Sequence, residues 1–387
     1  MGLRGMPPTH ARSLWKSVRT YGFTITALAR HAARVHGDRL GLVVDGWSTS
    51  FRDLWRSAEG VAAVLYVGPL ERKRLPVVLA CAGPAMEIAL LAVARLGLDV
   101  MPMSPRLLDD FRRAVPRDAL LIHDGDAPDW HRGPAASADQ ILEWASTDGS
   151  GLGRTRHRAR IVLPSKTVAG TITPHVQGAM GVQGLRQLAG LHDRLGIVGT
   201  DVVLACAPPH RGQGLQMFGM ALLTGATLVS AAHTSAADRI RIIRERFVSV
   251  LSASPLQLRG ILDELERTGE DAPRLRRIMV AGDELDAELV RRLHATWGPI
   301  VLSAYGSVQT GTVAVATPEV LASHPGTAGL RLPGSDFGIV GHAGRSDATG
   351  LLWVRGAHAT VITEDQARIE DGRLTIVGAL SQPDTAD

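Results

Sequence analysis

Short apolar runs alternate with helical segments over most of this chain, and that alternation restricts the fold more than any other feature. Residues 77–81 are continuously apolar, as in a strand buried on both faces. Residues 51–65 put Leu54, Ala58, Val61 and Leu65 on one helical face. Further strands are expected over 40–44, 99–103, 119–122, 159–163, 201–206, 227–229, 248–251, 275–280 and 300–304. Helices are expected over 86–96, 138–144, 181–195, 217–223, 236–246, 255–267 and 286–297. Strands alternating with helices predict an α/β fold of parallel sheets sandwiched with helices. After Gly311 the pattern shifts to shorter strands and Gly/Pro turns, a small β-rich C-terminal part. Residues 124–160 are rich in Pro, Gly, Ser and Asp and read as an irregular seam.

Composition narrows the functional classes. The 387 residues are 45% hydrophobic and 21% charged, which argues against disorder, collagen or coiled coil. The two cysteines, Cys81 and Cys206, each sit in an apolar run, so neither a disulfide framework nor a cysteine-built zinc site is expected. The fourteen histidines show no metal-ligand spacing, and no metal site is expected. A net charge of +4 is too small to imply nucleic acid. The longest apolar stretch, 77–98, contains Glu87 and Arg95 and is broken by Gly83-Pro84, so no membrane span is expected. With no secretory signal visible, the expectation is a soluble cytoplasmic protein. Only three lysines occur: Lys16, Lys73 and Lys166.

Several motifs fail on context. Gly149-Ser150-Gly151-Leu152-Gly153 precedes an arginine run and not a helix, unlike a dinucleotide fingerprint. Arg154, Arg156, Arg158 and Arg160 read as a solvated linker face. The Gly-x-Ser-x-Gly hydrolase elbow is absent. The informative segment is 275–340. There one expected strand ends in Ala281-Gly282-Asp283 and the next in Tyr305-Gly306-Ser307. Ligands of α/β folds sit at the carboxyl ends of adjacent parallel strands, where glycine lets a flat ring or phosphate approach the backbone. Plain strand-to-helix turns are the alternative.

An ordered set of motifs resembles the adenylate-forming superfamily, which includes acyl-CoA synthetases, nonribosomal adenylation domains and luciferases. Tyr305-Gly306-Ser307-Val308-Gln309-Thr310 is similar to its YGSTE-type motif, and Pro325-Gly326-Thr327-Ala328-Gly329 with Pro333-Gly334 to its PGTVGxPLPG. Thr49-Ser50-Phe51-Arg52-Asp53-Leu54 resembles LTYxEL, and residues 350–356 resemble GELWVRGP. Thr363-Glu364-Asp365, Arg368 and residues 370–378 resemble TGDxxRxDEDGRLxIVGR. The resemblance runs from about residue 25 to 378. It implies a large adenylation domain over 25–378, after an N-terminal extension over 1–24 and before a tail over 379–387. It also implies activation of a carboxylic acid, of fatty type, as acyl-AMP with ATP, followed by transfer to a thiol such as coenzyme A.

Carried onto this sequence, the resemblance places Gly282, Asp283, Tyr305 and Gly306 against adenine and Asp365 on the ribose. Ser165 and Thr167 fall on the phosphate loop and Ser307 on the phosphate side of the YGSTE-type motif. His210, Arg211, Gly212 and Gly214 fall on the segment that orders the acyl pocket. ATP and AMP are the implied nucleotides, with Mg2+ and coenzyme A as co-reactants.

The same comparison exposes departures. Lys166 stands where the phosphate loop has a glycine, and His175 falls on the loop's lysine. Val308 replaces a threonine, and Gln309 replaces the acidic magnesium ligand. The family continues into a small C-terminal subdomain that brings a catalytic lysine, whereas this sequence ends at Asp387 with no lysine after Lys166. Lys166 and Gln309 are therefore the candidate catalytic positions. The expectation is an acyl-CoA synthetase-like N-terminal domain impaired on its own, with a partner chain supplying the absent subdomain. The alternative is a pseudoenzyme that binds an adenosine nucleotide, an acyl-adenylate or a protein partner without turnover.

Overall fold

The structure, a computed structural model, describes residues 7–68, 75–153, 158–166, 172–178, 180–341 and 348–379. They fall into two units, Gly5–Met180 with Pro209–Thr227, and Gly181–Pro208 with Leu228–Asp387.

The first unit opens with α1 (Pro8–Tyr21) and α2 (Ile25–Val35), then the antiparallel hairpin β1 (Leu40–Val44) and β2 (Trp47–Ser50). The Ser50 hydroxyl accepts the Asp53 backbone N–H and so starts α3 (Phe51–Val67). There follow β3 (Val77–Ala80), α4 (Pro84–Arg95), β4 (Val100–Pro102), β5 (Leu120–His123), β6 (Ala135–Ser137), α5 (Ala138–Trp144), β7 (Ile161–Lys166) and β8 (Ile172–Gln177). Six strands form a sheet in the order β6-β5-β3-β4-β7-β8, parallel except for the antiparallel pair β7–β8. The segment read as irregular thus contains β6 as well as the expected helix. Three residues with only Ala136 buried give too short a pattern for periodicity to register.

Helix α4 is buried along Ala85–Arg95, so it takes two charged side chains inside with it. Arg95 is well partnered. Its guanidinium donates to the carbonyls of Leu152 at 3.0 Å and Gly153 at 3.2 Å, reaches Glu59 at 3.4 Å and lies over the Tyr21 ring. Glu87 is different. Its Oε2 makes no hydrogen bond, and burial pushes its carboxyl up to about 8, with the charge of Asp45 adding to the rise. Elsewhere in this unit the rings of His10, His31 and His36 lie 5.2 to 6.4 Å apart. Burial, then the neighbouring cationic groups, lowers His31 and His36 to about 4.

The second unit begins with α6 (Val182–Leu195) and β9 (Val202–Ala205); the helix that follows, α7 (Gly212–Thr224), belongs to the first unit and packs on α2. Then come β10 (Thr227–Ser230), α8 (Ala236–Glu245), β11 (Val250–Ala253), α9 (Pro255–Thr268), β12 (Arg277–Val280), α10 (Ala287–Trp297) and β13 (Val301–Ser307). Strands β9, β11, β12 and β13 are parallel neighbours, and a helix follows each of β9, β11 and β12. Ser235, Ser254 and Asp286 cap α8, α9 and α10, each accepting a backbone N–H of the first turn. From β13 onward the sheet is antiparallel, through β14 (Gly311–Ala316), β15 (Gly329–Arg331), β16 (Asp336–Ile339), β17 (Ala348–Arg355), β18 (Thr360–Glu370) and β19 (Arg373–Ala379), with α11 (Pro318–Ser323) between β14 and β15. These strands run in the order β16-β17-β18-β19-β15-β14-β13 and close over Val313, Leu352, Val354, Ala367 and Leu374. This is the β-rich C-terminal part expected after Gly311.

Of the element boundaries that differ from the sequence expectation, two have a clear physical cause. Helix α7 starts at Gly212, five residues before 217, because Gly212 and Gly214 are poor helix formers that hide its first turn. Strand β13 runs on to Ser307, because pairing with β14 extends it beyond its apolar stretch. Among the described residues, no helix is long and apolar enough to cross a membrane, and no group of three His, Cys, Asp or Glu side chains is placed to hold a metal.

Candidate functional site

Strands β12 and β13 are adjacent and parallel, with Val280 paired to Ser303. The chain leaves β12 through Ala281, Gly282 and Asp283. Gly282 has φ +106°, a backbone that side chains with a Cβ rarely adopt, and both it and Asp283 are exposed. On β13 the register shifts between Tyr305 and Gly306. A Cβ at Gly306 would lie 2.1 Å from the Gly311 carbonyl oxygen, so only glycine lets β13 and β14 approach this closely.

Tyr305 is half-buried against the β-rich core. Its hydroxyl donates to Asp365 Oδ2 on β18, which is separated from β13 by three strands in the sheet order. Burial, then the charge of Asp365, pushes the Tyr305 phenol far above its ordinary value, so it stays a donor at neutral pH. The backbone N–H of Asp365 donates to Thr363 Oγ1 at 3.2 Å, and the Thr363 hydroxyl donates to the Leu352 carbonyl at 3.1 Å. Asp365 is thereby held at both backbone and side chain. A carboxylate offers about four acceptor positions, and Tyr305 uses one.

Beyond Tyr305 the β13–β14 connection is a polar turn. The Ser307 and Thr310 hydroxyls are 3.1 Å apart, the Ser307 N–H donates to Thr310 Oγ1 at 3.3 Å, and the Gln309 N–H donates to Ser307 Oγ at 3.3 Å. Thr310 is fully buried, and its carbonyl accepts the Ala357 N–H at 2.9 Å. The turn therefore presents exposed Ser307 and half-buried Val308 and Gln309 on a buried anchor.

The remaining sequence candidates belong to the first unit. His210 is half-buried, Arg211 is the residue before α7, and Gly212 and Gly214 lie in the first turn of that helix. Ser165 and Lys166 end strand β7, and Thr167 lies outside the described residues. Three residues with a part in the site were missed: Thr310, Thr363 and Gln187 of α6. Thr310 stands inside the motif and was legible as a hydroxyl next to Gln309. Gln187 carries the clearer signal, a polar residue on the face of α6 that also buries Leu191 and Leu195.

Comparison with known proteins places this geometry. Residues 169–361, about half of the chain, match the model of the AMP-binding enzyme family. A 4-coumarate–CoA ligase-like protein of Oryza sativa subsp. japonica is 24% identical over 368 residues, covering 84% of this chain and 66% of its own length. A 2-succinylbenzoate–CoA ligase of Bacillus velezensis is 24% identical over 316 residues, covering 78% of this chain and 62% of its own length. The chain thus spans slightly less than two thirds of the curated relatives it matches. Among solved structures, O-succinylbenzoate coenzyme A synthetase of Bacillus subtilis in complex with AMP superposes with a TM-score of 0.76 at 16% identity, over 92% of this chain and 98% of that one. At that identity the likeness establishes the fold.

Proposed function

Residues 169–361 are an AMP-binding enzyme family domain, and from that premise we propose that Gly282, Asp283, Tyr305, Gly306 and Asp365 hold the adenosine of ATP or AMP. One observation carries the reading. The Tyr305 hydroxyl donates to Asp365, which sets an aromatic ring beside a carboxylate at the glycine-containing ends of neighbouring strands. A purine lies flat against such a ring, and glycine gives it room at the backbone. The carboxylate accepts two vicinal hydroxyls of a ribose in charge-assisted bonds. The exposed Ser307 hydroxyl and the Gln309 amide then face the α-phosphate.

The reaction that follows is acyl activation. A carboxylate oxygen attacks the α-phosphorus, the bond to the β-phosphate oxygen breaks, and pyrophosphate leaves with the electron pair. The product is an acyl-adenylate, which a thiol such as coenzyme A accepts in a second step. Such chemistry depends on positioning and on neutralising phosphate charge. The substrate class is a carboxylic acid of fatty or other apolar type. Magnesium does not fit the Ser307–Gly311 turn, which offers hydroxyls and an amide but no carboxylate for a hard divalent cation. No step is assigned to a metal there. Turnover at this site is correspondingly impaired.

Val308 and Gln309 favour a second reading, binding of an adenosine nucleotide or acyl-adenylate without turnover, because both are uncharged where phosphate charge must be met. Carboxylate-dependent ATP–pyrophosphate exchange, run with alkyl and aryl acids, separates the two. Exchange above Asp365→Ala and Tyr305→Ala controls supports acyl activation. Retained AMP binding without exchange supports the binding reading. A folded chain with neither overturns both.

A further inference from the structure

The geometry points to Gln187 of α6 as a positioning residue that fixes the turn after Tyr305 and so sets this chain's preference for a phosphorylated nucleoside; this rests on the reading of the adenosine site above. Gln187 is nearly fully buried. Its side-chain amide donates through Nε2 to the Thr310 carbonyl at 3.3 Å and, in a shorter contact, to the Thr312 carbonyl. These two carbonyls flank Gly311, the first residue of β14, with φ +67°. One amide group therefore clamps both sides of the bend that returns the chain from the turn to the sheet.

The clamp has a directional consequence. The Thr310 carbonyl also accepts the Ala357 N–H, while the Thr310 hydroxyl donates to the Gly311 carbonyl at 3.0 Å and accepts the Ser307 N–H. Thr310 is thus held from α6, from the segment after β17 and from within the turn, and the backbone of Ser307, Val308 and Gln309 is laid out from it. Removing both donors of Gln187 takes one hydrogen bond from each of two carbonyls that hold the bend, and the turn they anchor is what shifts. Tyr305 and Asp365 are bonded to each other and to Thr363, none of which Gln187 touches. The loss falls on the phosphate side and spares the adenosine side.

The test compares AMP with adenosine by calorimetry on the wild-type chain and on Gln187→Met, which keeps length and volume but has no donor. The expected result is unchanged adenosine affinity and an AMP-to-adenosine preference reduced about tenfold, the size of one lost hydrogen-bond arrangement. Gln187→Glu supplies a pH profile. Its carboxylate repels the two carbonyls at neutral pH and donates again once protonated, so its AMP preference recovers towards wild type as pH falls. Equal losses for AMP and adenosine, an early melt with unchanged preference, or failure of Gln187→Met to fold would assign Gln187 to stability alone and overturn the inference. A wild-type chain that binds neither ligand would instead overturn the adenosine site.

Discussion

Replacing Glu87 by Gln stabilises this protein at neutral pH and leaves it unchanged in acid. The carboxyl is fully buried within α4, its Oε2 makes no hydrogen bond, and its protonation is pushed from an ordinary 4.5 up to about 8. A raised carboxyl value means the folded chain keeps the proton while the unfolded chain loses it. Below pH 4.5 both states are neutral and nothing is lost. Between 4.5 and 8 the unfolded state gains about 1.4 kcal/mol for each pH unit, so stability falls as pH rises. By pH 7 this amounts to about 3 kcal/mol. Gln has the shape of the protonated acid and cannot ionise, so the variant escapes the loss. Urea denaturation followed by far-UV circular dichroism at pH 4, 5.5 and 7 measures the difference between the two proteins, in which all other titrating groups cancel. Equal stability at pH 7, or a difference that does not grow with pH, refutes the reasoning.

Three further outcomes are expected. His31 and His36 are held near 4, below the histidine value of 6.5, so the unfolded chain takes up protons first and stability falls as pH drops from 6.5 towards 4; His36→Asn flattens that limb of a melting-temperature profile. Tyr305→Phe removes the donor to Asp365 and costs roughly 1–3 kcal/mol of stability by chemical denaturation, as for a hydrogen bond to a charged group. The Ser307–Gly311 turn lacks a carboxylate, so AMP affinity measured by calorimetry stays the same when magnesium is chelated, and ATP with magnesium binds no more tightly than AMP.

Elements whose signals are local were legible in the sequence. Helix α5 lies on 138–144 as expected because Ser137 and Gln140 form a capping box immediately before its apolar positions. Helices α8 and α9 likewise begin at a serine cap and carry an unbroken apolar stripe. Elements whose signals come from distant partners were not. The full length of β13 is set by pairing with β14, and the antiparallel pairing of β7 with β8 is not announced by alternation alone. The candidate site follows the same division. Tyr305 and Asp365 were each nameable by motif resemblance, but their hydrogen bond spans 60 residues and three intervening strands. Gln187 stands out only as a polar residue on the buried face of α6; its partners are backbone carbonyls more than a hundred residues away, and any residue type can supply a carbonyl.

The most direct measurement is titration of AMP into the wild-type chain and into Asp365→Ala, with folding of both verified by their melts. The account predicts saturable one-to-one binding to the wild type and a loss of about tenfold or more in the variant, since ribose hydroxyls there lose a charge-assisted acceptor. Absence of AMP binding to the folded wild-type chain, or equal affinity in the two proteins, contradicts it.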